Sequence, residues 1–85
     1  MIQVIGRSGM LGMEVEKAVK EAGIPVYAEY VDIVNVTADD IKADIVINCS
    51  GVASSTDKRE QTIAVNQKGP KLLAKACDEK GARLV

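Results

Sequence analysis

Ile2-Gln3-Val4-Ile5 runs straight into Gly6-Arg7-Ser8-Gly9-Met10-Leu11-Gly12, and these eleven residues decide how the chain is read. The first four are a short, mainly apolar run. An amphipathic segment follows the glycines, with Leu11, Val15, Ala18, Val19 and Ala22 spaced at a 3.6-residue period. The order is therefore strand, glycine-rich turn, helix. Such a turn lets the backbone bend sharply and approach an anion. The free N–H groups and positive dipole end of the helix then hold the charge, which is the layout of a dinucleotide-phosphate site. The third glycine, Gly12, lets the helix pack close to the strand. The spacing is G-x-x-G-x-x-G rather than G-x-G-x-x-G, and the alternative reading of this stretch alone is a plain turn with a close helix contact.

Working outward, 85 residues suffice for one small domain. The net charge of −1 gives no electrostatic case for nucleic acid or an anionic membrane. No apolar run approaches the length of a membrane span, and Met1 leads directly into strand rather than into a signal peptide. The expected setting is therefore cytoplasmic. Cys49 and Cys77 form no CxxC pair and are read as reduced, structural thiols. The sequence contains no histidine, which removes the usual general base and metal ligand. No metal site is expected.

The first helix is predicted from Gly9 or Met10 to Ala22, stopped by Gly23 as a left-handed cap and by Pro25 beyond it. Residues 26–31 read as a second strand whose tip carries Tyr30, with Glu29 and Asp32 beside it. In dinucleotide sites this tip commonly offers an acid to the ribose; the two acids here read equally as solvated loop charges. Residues 34–36 read as a short extended piece. Thr37 then caps a very short helix with Asp39 and Asp40 in its first turn, ending near Ala43.

Residues 44–50 are a near-continuous apolar run with an acidic start and a polar exit, as in a strand buried in a parallel sheet. The small polar residues 52–58 form a loop at its carboxyl end. A second helix is predicted over 60–79, with Ile63, Ala64, Leu72, Leu73, Ala76 and Cys77 as its apolar stripe. Pro70 should kink it or divide it after Gly69. Gly81 closes it and residues 82–85 begin a fourth strand. The alternation predicts an α/β fold: a partial Rossmann-like three-layer domain with a parallel sheet of order 3-2-1-4, truncated at strand 4. The switch point should lie between strands 1 and 4, over the glycine turn.

Taken together, these segments resemble the N-terminal, cofactor-binding half of extended short-chain dehydrogenases/reductases, and within them the dTDP-4-dehydrorhamnose reductases. The passages that carry the likeness are Gly6-x-x-Gly9-x-Leu11-Gly12, Asn35-Val36-Thr37 and Asp44-Ile45-Val46-Ile47-Asn48. Asp57-Lys58 with Glu60, and Val65-Asn66-x-x-Gly69-Pro70-x-x-Leu73-Ala74, complete it. The resemblance implies NADP or NAD as cofactor. By it, Gly6, Arg7, Ser8, Gly9, Met10 and Leu11 hold the pyrophosphate, with Gly12 behind them. Tyr30 stands at the ribose tip, Asn35 and Val36 contact the adenine, Cys49, Ser50 and Gly51 lie by the ribose and nicotinamide end, and Asn66 braces the sheet from its helix.

The departures bear on function. Asn35 stands where the family has aspartate, and Cys49-Ser50-Gly51 replaces a run usually of alanines. The family's chemistry, a Ser/Thr and a Tyr-x-x-x-Lys pair, falls beyond strand 4. Here Tyr27 and Tyr30 are followed four residues on by Val31 and Val34, not by lysine. The expectation is the dinucleotide-binding portion of a nucleotide-sugar reductase that does not turn over substrate alone. The alternatives are a non-catalytic dinucleotide-binding regulatory or interaction module of the same superfamily, and a small α/β domain that binds no nucleotide. Arg7 and the absence of an acid at the strand tip itself lean toward NADP. Self-association is expected through the strand 4 edge or a missing C-terminal half.

Overall fold

The computed structural model describes residues 1–6, 10–50 and 67–85. Strand β1 (Ile2–Ile5) lies between two parallel neighbours, β2 (Val26–Tyr27) and β3 (Ile45–Asn48), and β4 (Arg83–Leu84) adds to the far side of β3. Helix α1 (Met10–Glu21) and helix α2 (Gly69–Lys80) accompany them, with two 3-10 turns at Ile33–Asn35 and Ala38–Asp40. The all-parallel α/β architecture is the expected one. No helix among the described residues is long and apolar enough to cross a membrane.

The strand order differs from the expectation: it is β2-β1-β3-β4, not 3-2-1-4. The run at 45–48 takes the place beside β1 that had been assigned to the last strand. The direction of winding therefore reverses between β1 and β3, and the last strand is the outer edge. Of the short extended piece expected at 34–36, only Val36 is extended (φ −64°, ψ 138°). Asp32 caps the turn there by accepting a hydrogen bond from Val34 N–H at 3.2 Å, which closes Ile33–Asn35 into a 3-10 turn. Strand β2 is also shorter than predicted and ends at Tyr27. Beyond it the chain crosses toward α2, where Ile33 seats against Gly69: a Cβ at that glycine would come within 3.0 Å of the Ile33 side chain.

Period-two alternation divides the sheet into two faces. Gln3 and Ile5 point to the layer made by α2 and the two turns; Val46 and Leu84, in register with Gln3, share that face. The core there is Ile5, Ile33, Val36, Ile41, Val46, Leu73, Ala76 and Cys77. Val4 alternates to the other face, is fully buried, and α1 lies against β1 and β2. The apolar stripe of α1 is rotated from its predicted position. Gly12 is the buried residue, with Val15, Glu16 and Val19 half-buried, while Leu11, Ala18 and Ala22 are exposed. The helix turns its side-chain-free position toward the sheet, and that choice sets which residues follow at i+3, i+4 and i+7.

Local punctuation agrees with the sequence. Gly23 and Gly81 both adopt the left-handed conformation after their helices. Thr37 and Asp40 form a capping box, the Asp40 carboxylate accepting from Thr37 N–H at 2.9 Å. That short helix stops at Asp40 rather than Ala43. Pro70 is the second residue of α2 and follows a π-helical pair at Gln67 and Lys68, so the change to regular α-helix falls at Gly69 rather than after it. Leu73, Ala76 and Cys77 are buried as predicted; Ile63 and Ala64 lie outside the described residues.

Candidate functional site

The parallel strands β1 and β3 both end at one edge of the sheet, and α1 follows β1 from that side. Gly6 ends β1 with φ +84°, and its α-carbon is pressed onto the exit of β3. A Cβ there would stand 2.6 Å from Ser50 N, 2.7 Å from Ser50 Cα and 2.8 Å from the Cys49 carbonyl carbon. A bond from Cys49 N–H to the Ile5 carbonyl at 2.8 Å carries the strand pairing up to this point. The β3 exit is then closed by Asn48, whose Oδ1 accepts from Ser50 N–H at 3.0 Å and from the Ser50 hydroxyl at 2.6 Å. The exits of β1 and β3 are thus in backbone-to-backbone contact at the point where the winding reverses. Open α/β sheets bind ligands outside the carboxyl ends of their strands at such a reversal, and a helix N-terminus there favours an anion.

Of the residues singled out from sequence, Gly6, Cys49 and Ser50 are brought together here. Met10 and Leu11 are exposed at the start of α1, and Gly12 is buried behind them. Arg7, Ser8, Gly9, Gly51 and Asn66 lie outside the described residues. Tyr30 is 83% exposed in the connection beyond β2. Asn35 is exposed at the end of the first 3-10 turn and donates from Nδ2 to Asp32 at 2.7 Å. Val36 turns its side chain into the core, so only its main chain is available to a ligand. Burial raises the Cys49 thiol above its ordinary range, which keeps it protonated at neutral pH and unsuited to nucleophilic chemistry.

Two side chains have roles that the sequence reading did not assign. Asp32, weighed there as a loop charge, organises the turn that carries Asn35. Gln3, taken as part of an apolar strand, is fully buried and clamps the second turn through its amide. A lone polar residue inside an otherwise apolar strand was the available signal. Two shallow depressions lie elsewhere. One, of about 170 Å³, is bounded by Val36, Leu72, Lys75 and Glu79; the other, of about 380 Å³, follows the outer side of α1. Neither is lined by Gly6, Cys49 or Ser50. The carboxyl edge at the reversal is the better candidate, because the glycine exit of β1 and the start of α1 lie there, whereas the depressions lie on other surfaces.

The parallel sheet order and the glycine exit of β1 define a partial Rossmann-like domain. The chain belongs to the RmlD substrate binding domain family, whose model matches residues 1–85. Among solved structures it is similar to a dTDP-4-dehydrorhamnose reductase from Clostridium acetobutylicum, at 31% identity and a TM-score of 0.81. The match covers 98% of this chain and 34% of that one. In fold it is similar to a short-chain dehydrogenase/reductase superfamily protein from Agrobacterium tumefaciens with bound NAD. That match has a TM-score of 0.83 at 24% identity and covers 98% of this chain and 30% of that one. It is similar in the same sense to the Bacillus anthracis dTDP-4-dehydrorhamnose reductase in complex with NADP. There the TM-score is 0.79 at 22% identity, with coverage of 98% and 34%. The chain thus spans about a third of the length of these structures. No curated protein matches it.

Proposed function

We propose that this chain is the NADP- or NAD-binding portion of a cytoplasmic reductase acting on a dTDP-4-keto-6-deoxy sugar, and that residues 1–85 form its incomplete Rossmann half-domain. The observation that carries the reading is the reversal of winding between β1 and β3, with the positive-φ exit of β1 at Gly6 and the start of α1 at the same edge. Dinucleotide folds seat the pyrophosphate at such an edge, on a helix N-terminus. In this reading Gly6, Arg7, Ser8, Gly9, Met10 and Leu11 surround the pyrophosphate and Gly12 holds α1 close. Tyr30, Asn35 and Val36 serve the adenosine end, and Cys49, Ser50 and Gly51 the ribose and nicotinamide end. Asn66 braces the sheet. Arg7 pairs with a 2′-phosphate, which favours NADP. A bound nicotinamide supplies hydride; the proton and its Ser/Thr and Tyr-x-x-x-Lys donors belong to sequence outside these residues.

Titration calorimetry of the 85-residue chain with NADPH, NADH and ADP-ribose tests the reading. Heat of binding is expected with all three. Arg7→Ala should weaken NADPH relative to NADH by about tenfold, the loss of one charge-assisted contact. A folded chain that binds none of them at millimolar concentration would end the dinucleotide reading. With a dTDP-4-keto sugar present, no loss of NADPH absorbance is expected. Turnover would show that the chemistry lies within these residues after all, whereas binding without turnover is also what a non-catalytic dinucleotide module would give. Recovery of turnover on adding the remaining two-thirds of a reductase separates the two.

We also propose self-association through β4. Arg83 N–H and Val85 N–H bond inward to Asp44 and Val46, so the parallel pattern turns the Leu84 N–H and C=O off the sheet edge. Sedimentation over a concentration series should show mass rising with concentration. Val85→Lys, which places a charge at a position 68% exposed on that edge, should suppress the rise. A monomer at every concentration up to millimolar would contradict the idea.

A further inference from the structure

We propose that Asp32 sets the base preference of the dinucleotide site by dictating which end of the Asn35 amide faces outward. The inference rests on the dinucleotide reading above and concerns the residue it puts at the adenine. The Asp32 carboxylate is committed at both oxygens: Oδ1 accepts from Val34 N–H at 3.2 Å and Oδ2 accepts from Asn35 Nδ2 at 2.7 Å. An ionised carboxylate has no hydrogen to donate, so the neighbouring amide must turn its –NH2 toward it. The orientation of Asn35 is therefore dictated by chemistry. Its Oδ1 is left on the other side as an acceptor, with no partner among the described residues, on an exposed side chain.

The turn is held at the ligand-binding edge. Ile33, buried in the core, seats against Gly69 at the start of α2, which follows β3 and so begins from the carboxyl end of the sheet. Asp32 also stands twenty residues beyond Gly12, about the distance at which dinucleotide folds meet the adenosine ribose. An outward acceptor at this place matches the 6-amino group of adenine, a donor. It opposes the 6-oxo group of hypoxanthine, where two acceptors would face each other unpaired.

The test compares NADH and NADPH with their hypoxanthine analogues, by titration calorimetry on the full 85-residue chain. The wild-type chain should prefer the adenine forms by about tenfold, the net scale of one hydrogen bond made by an exposed side chain. Asp32→Asn is nearly isosteric and asparagine is as good a turn and helix cap as aspartate. With its oxygen kept on Val34 N–H, its –NH2 would face Asn35 and force that amide to flip. Asn35 Nδ2 would then point outward, and the preference should invert toward hypoxanthine. Asp32→Ala releases the amide and should bring the ratio to about one. Thermal melts of both variants report the turn's structural contribution separately, since a lost cap lowers affinity for both bases alike. Equal losses for the two bases, or an unchanged preference in Asp32→Asn, would overturn the inference and leave dinucleotide binding standing. Absence of binding to any of the four ligands would overturn both.

Discussion

Gly6→Ala should remove much of the stability of this domain. The native φ of +84° already costs an L-residue about 1–2 kcal/mol. The added Cβ would also sit 2.6 Å from Ser50 N, a contact with backbone rather than with a side chain that can swing away. The exits of β1 and β3 would have to part, and the Cys49 N–H to Ile5 bond with them. Together these terms amount to about 3 kcal/mol or more, against the 5–15 kcal/mol that holds a typical domain folded. Urea unfolding followed by circular dichroism should show the midpoint fall sharply, and Gly6→Val should abolish the cooperative transition. Gly23→Ala is the control: its φ is similar, +78°, but nothing lies within 4 Å of the new Cβ. It should cost only about 1 kcal/mol, the conformational term alone. Equal effects at the two glycines would mean that the strand exits separate freely and that the contact between Gly6 and Ser50 is not a rigid feature.

Gln3→Met should come second. The Gln3 side chain is fully buried; its Nε2 donates to the Asp40 carbonyl at 2.8 Å and its Oε1 accepts from Lys42 N–H at 2.7 Å. The two bonds tie the central strand to a turn 37 and 39 residues away. Methionine keeps the volume and removes both bonds, so a carbonyl and an N–H are left without partners in a partly buried site. At roughly 1–3 kcal/mol for each unpaired group, the loss is about 3 kcal/mol where water enters poorly. Hydrogen exchange gives the specific readout. The Lys42 amide should pass from protected to fast-exchanging, while amides of β3 such as Val46 lose only what the global stability loses. Retained protection at Lys42 would show that the turn is held by its own capping box and by packing.

The two expected results concern different kinds of information. The sequence by itself determined the succession of β1, Gly6 and α1, the left-handed caps at Gly23 and Gly81, the start of the short helix at Thr37 with Asp39 and Asp40 in its first turn, and the parallel α/β class. Each of these is a short-range matter: a φ that only glycine takes easily, a carboxylate reaching an N–H three residues away, or an apolar run too continuous for a strand with one wet face. The buried stripe of α2 was legible for the same reason, since Leu73, Ala76 and Cys77 recur on one helical face.

Tertiary structure alone decided the order β2-β1-β3-β4, because the neighbours of a strand are chosen across dozens of residues by shared burial, not by anything in its own composition. It decided that Leu11, Ala18 and Ala22 face outward once Gly12, read from sequence as the close contact, is seated on the sheet, since a helical period shows that a stripe exists but not how the helix rolls. It turned residues 33–35 away from a strand, where one carboxylate at Asp32 competes for the local N–H groups and Ile33 finds its place on Gly69. It also settled what the polar residues do. Gln3 meets groups far along the chain, and the Asn35 amide takes its direction from the charge it happens to face; pairings of that kind exist only once the chain has folded.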